Sequence, residues 1–129
     1  VFLFLGMTYQ LSVAQRVSMS SDISRGFRTG DCTLLTDYFN DTLKLNILNQ
    51  EYESGKSDAS IILKKFFTEH PPASFEIKFE SEKKDSKFVI GNLKTTRSEN
   101  YRVNIFFRKT GNKDVIHLLR IEKENEASF

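Results

Sequence analysis

The sequence predicts a single α+β domain: a strongly curved antiparallel sheet with three helices from the first half of the chain on its concave face. Three observations carry this. Apolar residues recur with a helical period around residues 19–39 and again at 59–67. From residue 75 onward they alternate with polar ones in four successive runs, which is the period of strands. The length of 129 residues suits one domain.

Met19, Ile23 and Phe27 stand at i, i+4 and i+8 and mark one face of a first helix. Ser20, Ser21 and Asp22 supply a cap and a favourable charge at its start, and Gly30 stops it. Asp31 caps a second short helix, in which Leu34, Leu35, Tyr38 and Phe39 form one apolar stripe. Leu43, Leu45 and Ile47 alternate with Lys44 and Asn46, the pattern of a half-buried strand. The polar run from Asn49 to Lys56 reads as a turn or a short edge segment. Ser57 and Asp58 open the clearest helix, with Ala59, Ile62, Leu63, Phe66 and Phe67 on its inner face and Pro71 and Pro72 at its stop.

Four strands follow. The first sets Phe75, Ile77 and Phe79 on one face and Glu76, Lys78 and Glu80 on the other. After a charged connection the second carries Phe88, Val89 and Ile90, then Gly91, where a bend or bulge fits. The third alternates Tyr101, Val103, Ile105 and Phe107. A turn at Thr110-Gly111-Asn112-Lys113 leads to the fourth, with Val115, His117, Leu119 and Ile121 on one face, and the residues from Glu124 to Phe129 are expected to fray.

Twelve Phe and no Trp provide bulk without a polar handle, so these rings belong to a core or to an apolar cavity. Helices inside a curved sheet leave a pocket between the layers, and Phe27, Tyr38, Phe66, Phe79, Ile105 and His117 are its expected lining. A small apolar ligand or a peptide is the expected occupant, and no cofactor is implied.

Charge excludes some classes. Nineteen basic and seventeen acidic residues leave a net charge of +2, too even a balance to imply nucleic acid. The two histidines, His70 and His117, lie far apart and form no ligand pattern with the single Cys32, so no metal is expected. One cysteine also permits no internal disulfide, and Cys32 reads as a small buried helix residue. There is no phosphate loop and no nucleophile elbow. Tyr38, Tyr101 and His117 remain as candidates for acid–base chemistry; a hydrogen-bonded His on a half-buried strand is the plainer reading of His117.

On the other face of the sheet, alternation sets Arg102, Phe106 and Arg108 beside Ile116, Leu118 and Arg120, an apolar patch rimmed by arginine of the kind that marks interfaces; a patch covered by the C-terminal tail or a loop is the other reading. The opening run Val1 to Leu5 is wholly apolar, and Ser12 and Ala14 suit signal-peptidase pockets, with cleavage before Gln15. Residues 1–14 therefore read as an export signal, truncated at its start and too short to span a membrane, and residues 15–129 as the mature domain. An exported, periplasmic or envelope location follows; a buried N-terminal element is the other reading of this segment.

The segments Tyr38-Phe39-Asn40, Phe66-Phe67-Thr68-Glu69-His70-Pro71-Pro72, Ile90-Gly91-Asn92-Leu93-Lys94-Thr95 and Leu119-Arg120-Ile121-Glu122-Lys123, in this order and spacing, resemble a family of small exported Bacteroidetes proteins, domain of unknown function 4783. The resemblance spans the mature chain and implies a nuclear-transport-factor-2-like, or cystatin-like, cone. That superfamily holds isomerases, dehydratases and cyclases as well as binding modules, and its members commonly pair through the outer sheet face, so fold alone does not fix function. The expectation is a non-catalytic binding or interaction domain that forms a homodimer through the sheet. A small isomerase- or cyclase-like enzyme using a Tyr/His cavity is the alternative.

Overall fold

The computed structural model describes residues 19–124; the segment read as an export signal and the tail after Glu124 lie outside the described residues. Helices α1 (Ser21–Thr29) and α2 (Cys32–Thr36) precede strands β1 (Phe39–Ile47) and β2 (Gln50–Gly55). Helix α3 (Lys56–Glu69) then leads into β3 (Pro72–Glu82), β4 (Ser86–Thr95), β5 (Asn100–Thr110) and β6 (Lys113–Lys123). The strands form one six-stranded sheet in the order β2-β1-β6-β5-β4-β3. Helix α1 lies against β3, and α3 against β1 and β2, so the helices cover one face in the predicted α+β arrangement. Four of the five strand pairings are antiparallel, and β1 runs parallel to β6.

The caps of α1 follow the sequence, whereas α3 begins at Lys56, one residue before the expected Ser57, with Gly55 at its N-cap and no side-chain cap. The Ser20 hydroxyl accepts from the Asp22 N–H, and Gly30 takes a left-handed φ of 74° with its N–H bonded to the Gly26 carbonyl. Helix α2 is shorter than its apolar stripe suggests: it stops at Thr36, and Tyr38 and Phe39 leave it. The reason is a long-range pairing. Ile116 donates its N–H to the Tyr38 carbonyl at 2.6 Å, and Phe39 lies opposite Ile116 in the β1–β6 ladder. The polar run after β1 is a true edge strand, reached through a two-residue turn in which Leu48 and Asn49 have φ of 51° and 72°. Asn accepts this conformation readily, whereas for Leu it costs about 1–2 kcal/mol.

Besides Ala73 at the start of β3, two inserted residues decide which side chains face the helices. The pairing of β3 with β4 slips between Ile77 and Phe79, so Lys78 is extra; the pairing of β5 with β6 slips at Phe106/Phe107, so His117 is extra. Each slip exchanges faces further along the strand. Ile77 pairs with the inward-facing Gly91, but Phe79 pairs with Ile90 on the outer face. Ile116 pairs with Phe107 and is fully buried, whereas Val115 pairs with the exposed Arg108. The alternation expected for Phe79, Val115 and Ile116 is therefore corrected by the bulges. The bulge foreseen near Gly91 sits on the partner strand.

The inner face is close-packed. Phe27 has no exposed surface, stacks on Phe75 with ring centroids 5.0 Å apart and meets Phe67 edge-on at 6.2 Å. Full burial of each such side chain stabilises by roughly 1.5–3 kcal/mol. Lys87 also lies on the inner row, 5% exposed, held by Asp114 at 2.7 Å with its ammonium 5.6 Å from the Phe107 ring centre. Gly91 is what admits the Phe75 ring: a methyl group there would run into the ring edge. Because that ring is fixed against Phe27, Gly91→Ala should cost about 1–3 kcal/mol of stability through overpacking. Urea unfolding checks this; an unchanged midpoint would show that Phe75 can move aside.

Candidate functional site

The polar groups singled out for chemistry occupy three separate places. The Tyr38 hydroxyl lies 2.9 Å from Ser20 Oγ and donates to Asp22 at 3.4 Å, which ties the start of β1 to the cap of α1. Tyr101, 2% exposed, turns its hydroxyl to the end of α3, 3.0 Å from His70 Nδ1 and 3.4 Å from Glu99 Oε1. His117 sits in the β6 bulge, where the positive charge of Arg108 reaches it. Arg108 belongs to the outer face, its guanidinium 5.8 Å from the Phe106 ring centre. Burial first, and then Arg108, lowers the His117 pKa from its usual 6.5. Among the described residues these three groups are not hydrogen-bonded to one another.

Around Tyr101 the structure assembles a cluster that sequence spacing conceals. His70 Nδ1 is 3.4 Å from the Glu99 carboxylate, and the imidazole stacks on Phe66 with centroids 4.8 Å apart. Arg97 donates to the Glu69 carbonyl at 2.6 Å and so satisfies an end carbonyl of α3. Thr95 accepts from the N–H groups of Arg97 and Glu99, which shapes the turn that presents them. The hydrogen bond from His70 holds the Glu99 carboxyl below its usual 4.5, while burial and then Glu99's charge raise the Tyr101 pKa. The cluster fastens the end of α3 to the β4–β5 turn. Residues 29 and 31 positions apart form it, and no local period could have announced them. Cys32, its pKa raised to about 11 by burial and then by Asp31, is a protonated core thiol. Among the described residues no group of three or more His, Cys, Asp or Glu is placed to hold a metal ion, and no helix is long and apolar enough to cross a membrane.

The six residues expected to line an interior pocket are not brought together. Phe27, Phe66 and Ile105 are packed core, exposed by 0%, 3% and 0%. Phe66 also borders a hollow of about 340 Å³ between α3 and the β1–β2 turn, with Ile47, Leu48, Tyr52 and Ile62. Tyr38 is half-buried at the cap of α1, His117 is in the bulge, and Phe79 stands 52% exposed on the outer face.

On the outer face several apolar side chains are only half-buried among the described residues. Phe88, Phe106 and Leu118 sit side by side across β4, β5 and β6, and Phe79 pairs with Ile90 across β3 and β4. Phe79 and Ile90 border a hollow of about 650 Å³ together with Lys78, Asn92, Arg102 and Glu124. Leu118 and Arg120 border a second, of about 470 Å³, towards β1 and β2. Five of the six expected interface residues, Arg102, Phe106, Arg108, Leu118 and Arg120, are on this face; Ile116 is in the core. Arg102 is held by Glu124 at 3.4 Å and Glu122 at 4.0 Å, so Glu124 is tied into the sheet rather than frayed. Phe88 was legible in principle: the run Phe88-Val89-Ile90 lacks alternation, as a strand with apolar residues on both faces must.

A family model described as domain of unknown function, DUF4783, matches residues 20–122. A crystal structure of a DUF4783 family protein from Bacteroides uniformis is 35% identical, with a TM-score of 0.78, covering 84% of this chain and 99% of that one. The Bacteroides ovatus family protein is 31% identical, TM-score 0.78, covering 83% and 96%. An NTF2-like protein of unknown function from Shewanella baltica, 11% identical with a TM-score of 0.65 over 81% and 87%, shares the fold alone. No curated protein matches the chain.

The tie at the end of α3 has an acid signature. Because the folded-state pKa of Glu99 lies below its unfolded value, its stabilisation is present above the usual 4.5 and is lost as the pH falls through the folded value. The stability gap between the wild-type protein and Glu99→Gln should therefore narrow on acidification below about pH 4.5. Denaturant unfolding over that range measures it, and a gap independent of pH would contradict the assignment.

Proposed function

Since the chain belongs to the DUF4783 family and has the NTF2-like fold, we propose that it is an exported, non-catalytic interaction domain that works through the outer face of its sheet, with a second copy as the partner. The observation that carries this is the division of the aromatic residues. The rings on the helix side are consumed by packing, whereas Phe79, Phe88 and Phe106 lie on the sheet face that no helix of the described residues covers. An apolar strip rimmed by charge is the composition of a docking surface. Export is supported by the apolar opening run and the small residues Ser12 and Ala14.

A second copy suits this face for two reasons. Phe79, 52% exposed, is a knob at the β3 edge, and a two-fold operation about the middle of the sheet turns it toward the hollow that Leu118 and Arg120 border on the β1–β2 side of the other copy. Charge is also arranged in a self-complementary way. Glu51 and Glu53 lie outward on the β2 edge, opposite Asn46 and Lys44, while the other edge carries Lys78, which pairs with Glu76 at 3.3 Å. A two-fold axis along the strands near the β5–β6 centre turns Glu51 and Glu53 of one copy toward Lys78 of the other. Asn104, also outward, leaves its Oδ1 buried without a hydrogen-bond partner among the described residues, a polar cost of about 1–3 kcal/mol that a docked donor would offset.

Sedimentation should report a dimer for the wild-type protein. Phe106→Glu, which puts a charge in the middle of the strip, should give a monomer weakened at least about 100-fold in association while keeping its unfolding transition. Phe79→Ser should weaken pairing about tenfold or more. A monomeric wild-type protein, or a Phe106→Glu dimer of unchanged affinity, would refute the reading.

A further inference from the structure

The β6 bulge places an imidazole in the middle of this surface. His117 is the inserted residue between Ile116, which is fully buried on the helix side, and Leu118, which lies in the apolar strip opposite Phe106. The bulge sets two β6 residues against one on β5, and His117 is only half-buried, like Leu118 and unlike the fully buried Ile116. The outward Arg108 reaches His117 electrostatically, which agrees with that placement.

The charged groups around it can be named by element. On β5 it is Arg108, exposed, with its guanidinium over Phe106. On β1, where pairing with β6 skips from Phe39 to Lys44, Asp41 and Lys44 belong to the stretch alongside the bulge. On β6 itself Asp114 is engaged by Lys87 at 2.7 Å and Lys109 at 3.9 Å, and Arg120 lies two residues beyond Leu118. Among the described residues, Asp41 and, one strand further out opposite Lys44, Glu53 are the acids of this stretch, while Arg108, Lys44 and Arg120 are positive.

We infer that His117 couples the pairing of two copies to pH: the neutral imidazole is accommodated beside Leu118 in the contact, and protonation opposes the contact by placing a further positive charge next to Arg108 in a surface being desolvated. This rests on the outer-face reading above. The two-fold axis near β5–β6 brings His117 of each copy close to it, so two protons are taken up as the pair separates. The sign follows from burial. His117 is already disfavoured as a cation in the single chain, and pairing adds further burial and, from the second copy, more positive charge. Association is therefore full while the imidazole of the single chain is neutral and weakens as the pH falls through the single chain's value, which lies below the usual 6.5. With two linked protons the dissociation constant can rise up to about 100-fold per pH unit.

The test is the dissociation constant of the full chain by sedimentation at about pH 7.5 and about pH 5, for the wild-type protein and for His117→Gln, with Phe106→Glu as a monomer whose unfolding shows that the fold survives at the lower pH. The wild-type constant should rise at least about tenfold on acidification, and that of His117→Gln should stay within about twofold. A wild-type dimer indifferent to pH, or an equal slope in His117→Gln, overturns the role of His117 while leaving the outer-face reading intact. A wild-type protein monomeric at both pH values overturns both.

Discussion

A pleated strand sends successive side chains to opposite faces, so one inserted residue exchanges everything beyond it. In this chain two such residues, Lys78 and His117, set the character of both sheet faces. Lys78 keeps Phe75 and Ile77 toward the helices and sends Phe79 to the outside. His117 keeps Ile116 in the core while leaving Leu118 outside, beside Phe106. Without these insertions the outer face would lose its exposed knob and the inner face one of its fully buried side chains.

The inner face shows what the phenylalanines are for. Phe27 lies between Phe75 and Phe67, Phe66 lies against Phe67 and Tyr101, and Gly91 makes room for the Phe75 ring. Chains of aromatic contact at about 5–6 Å leave each ring few alternative positions, so this layer behaves as a structural element. The His70–Glu99–Tyr101 cluster completes it by fastening the end of α3, which carries Phe66 and Phe67, to the turn between β4 and β5. The packed rings lie on one side of the sheet, and Phe79, Phe88 and Phe106 lie on the other.

Much of the fold was legible. The helical spacing of Met19, Ile23 and Phe27, the caps at Ser20 and Gly30, and the strand period of Tyr101, Val103, Ile105 and Phe107 all depend on neighbours within a few residues, and all agree with the structure. What local pattern could not show were features set by distant pairing. Tyr38 and Phe39 continue a helical stripe, yet the bond from Ile116 to the Tyr38 carbonyl and the pairing of Phe39 with Ile116 end the helix and start a strand at Phe39. The bulges leave no mark in alternation, because Phe75, Ile77 and Phe79 keep a flawless period through the point where the ladder slips. The site suffered most from this. Parity set Phe79 and His117 inward with Phe27, Phe66 and Ile105, and placed Ile116 on the outer face where a core residue stands.

The central claim is that the rings divide into a locked inner set and an outer set free to meet a partner. Fluorine NMR of the protein labelled with fluorophenylalanine, followed on dilution, tests it most directly. The resonances of Phe79, Phe88 and Phe106 should move with concentration while those of Phe27, Phe67 and Phe107 stay fixed. Movement of the inner resonances with the outer ones still would contradict the account.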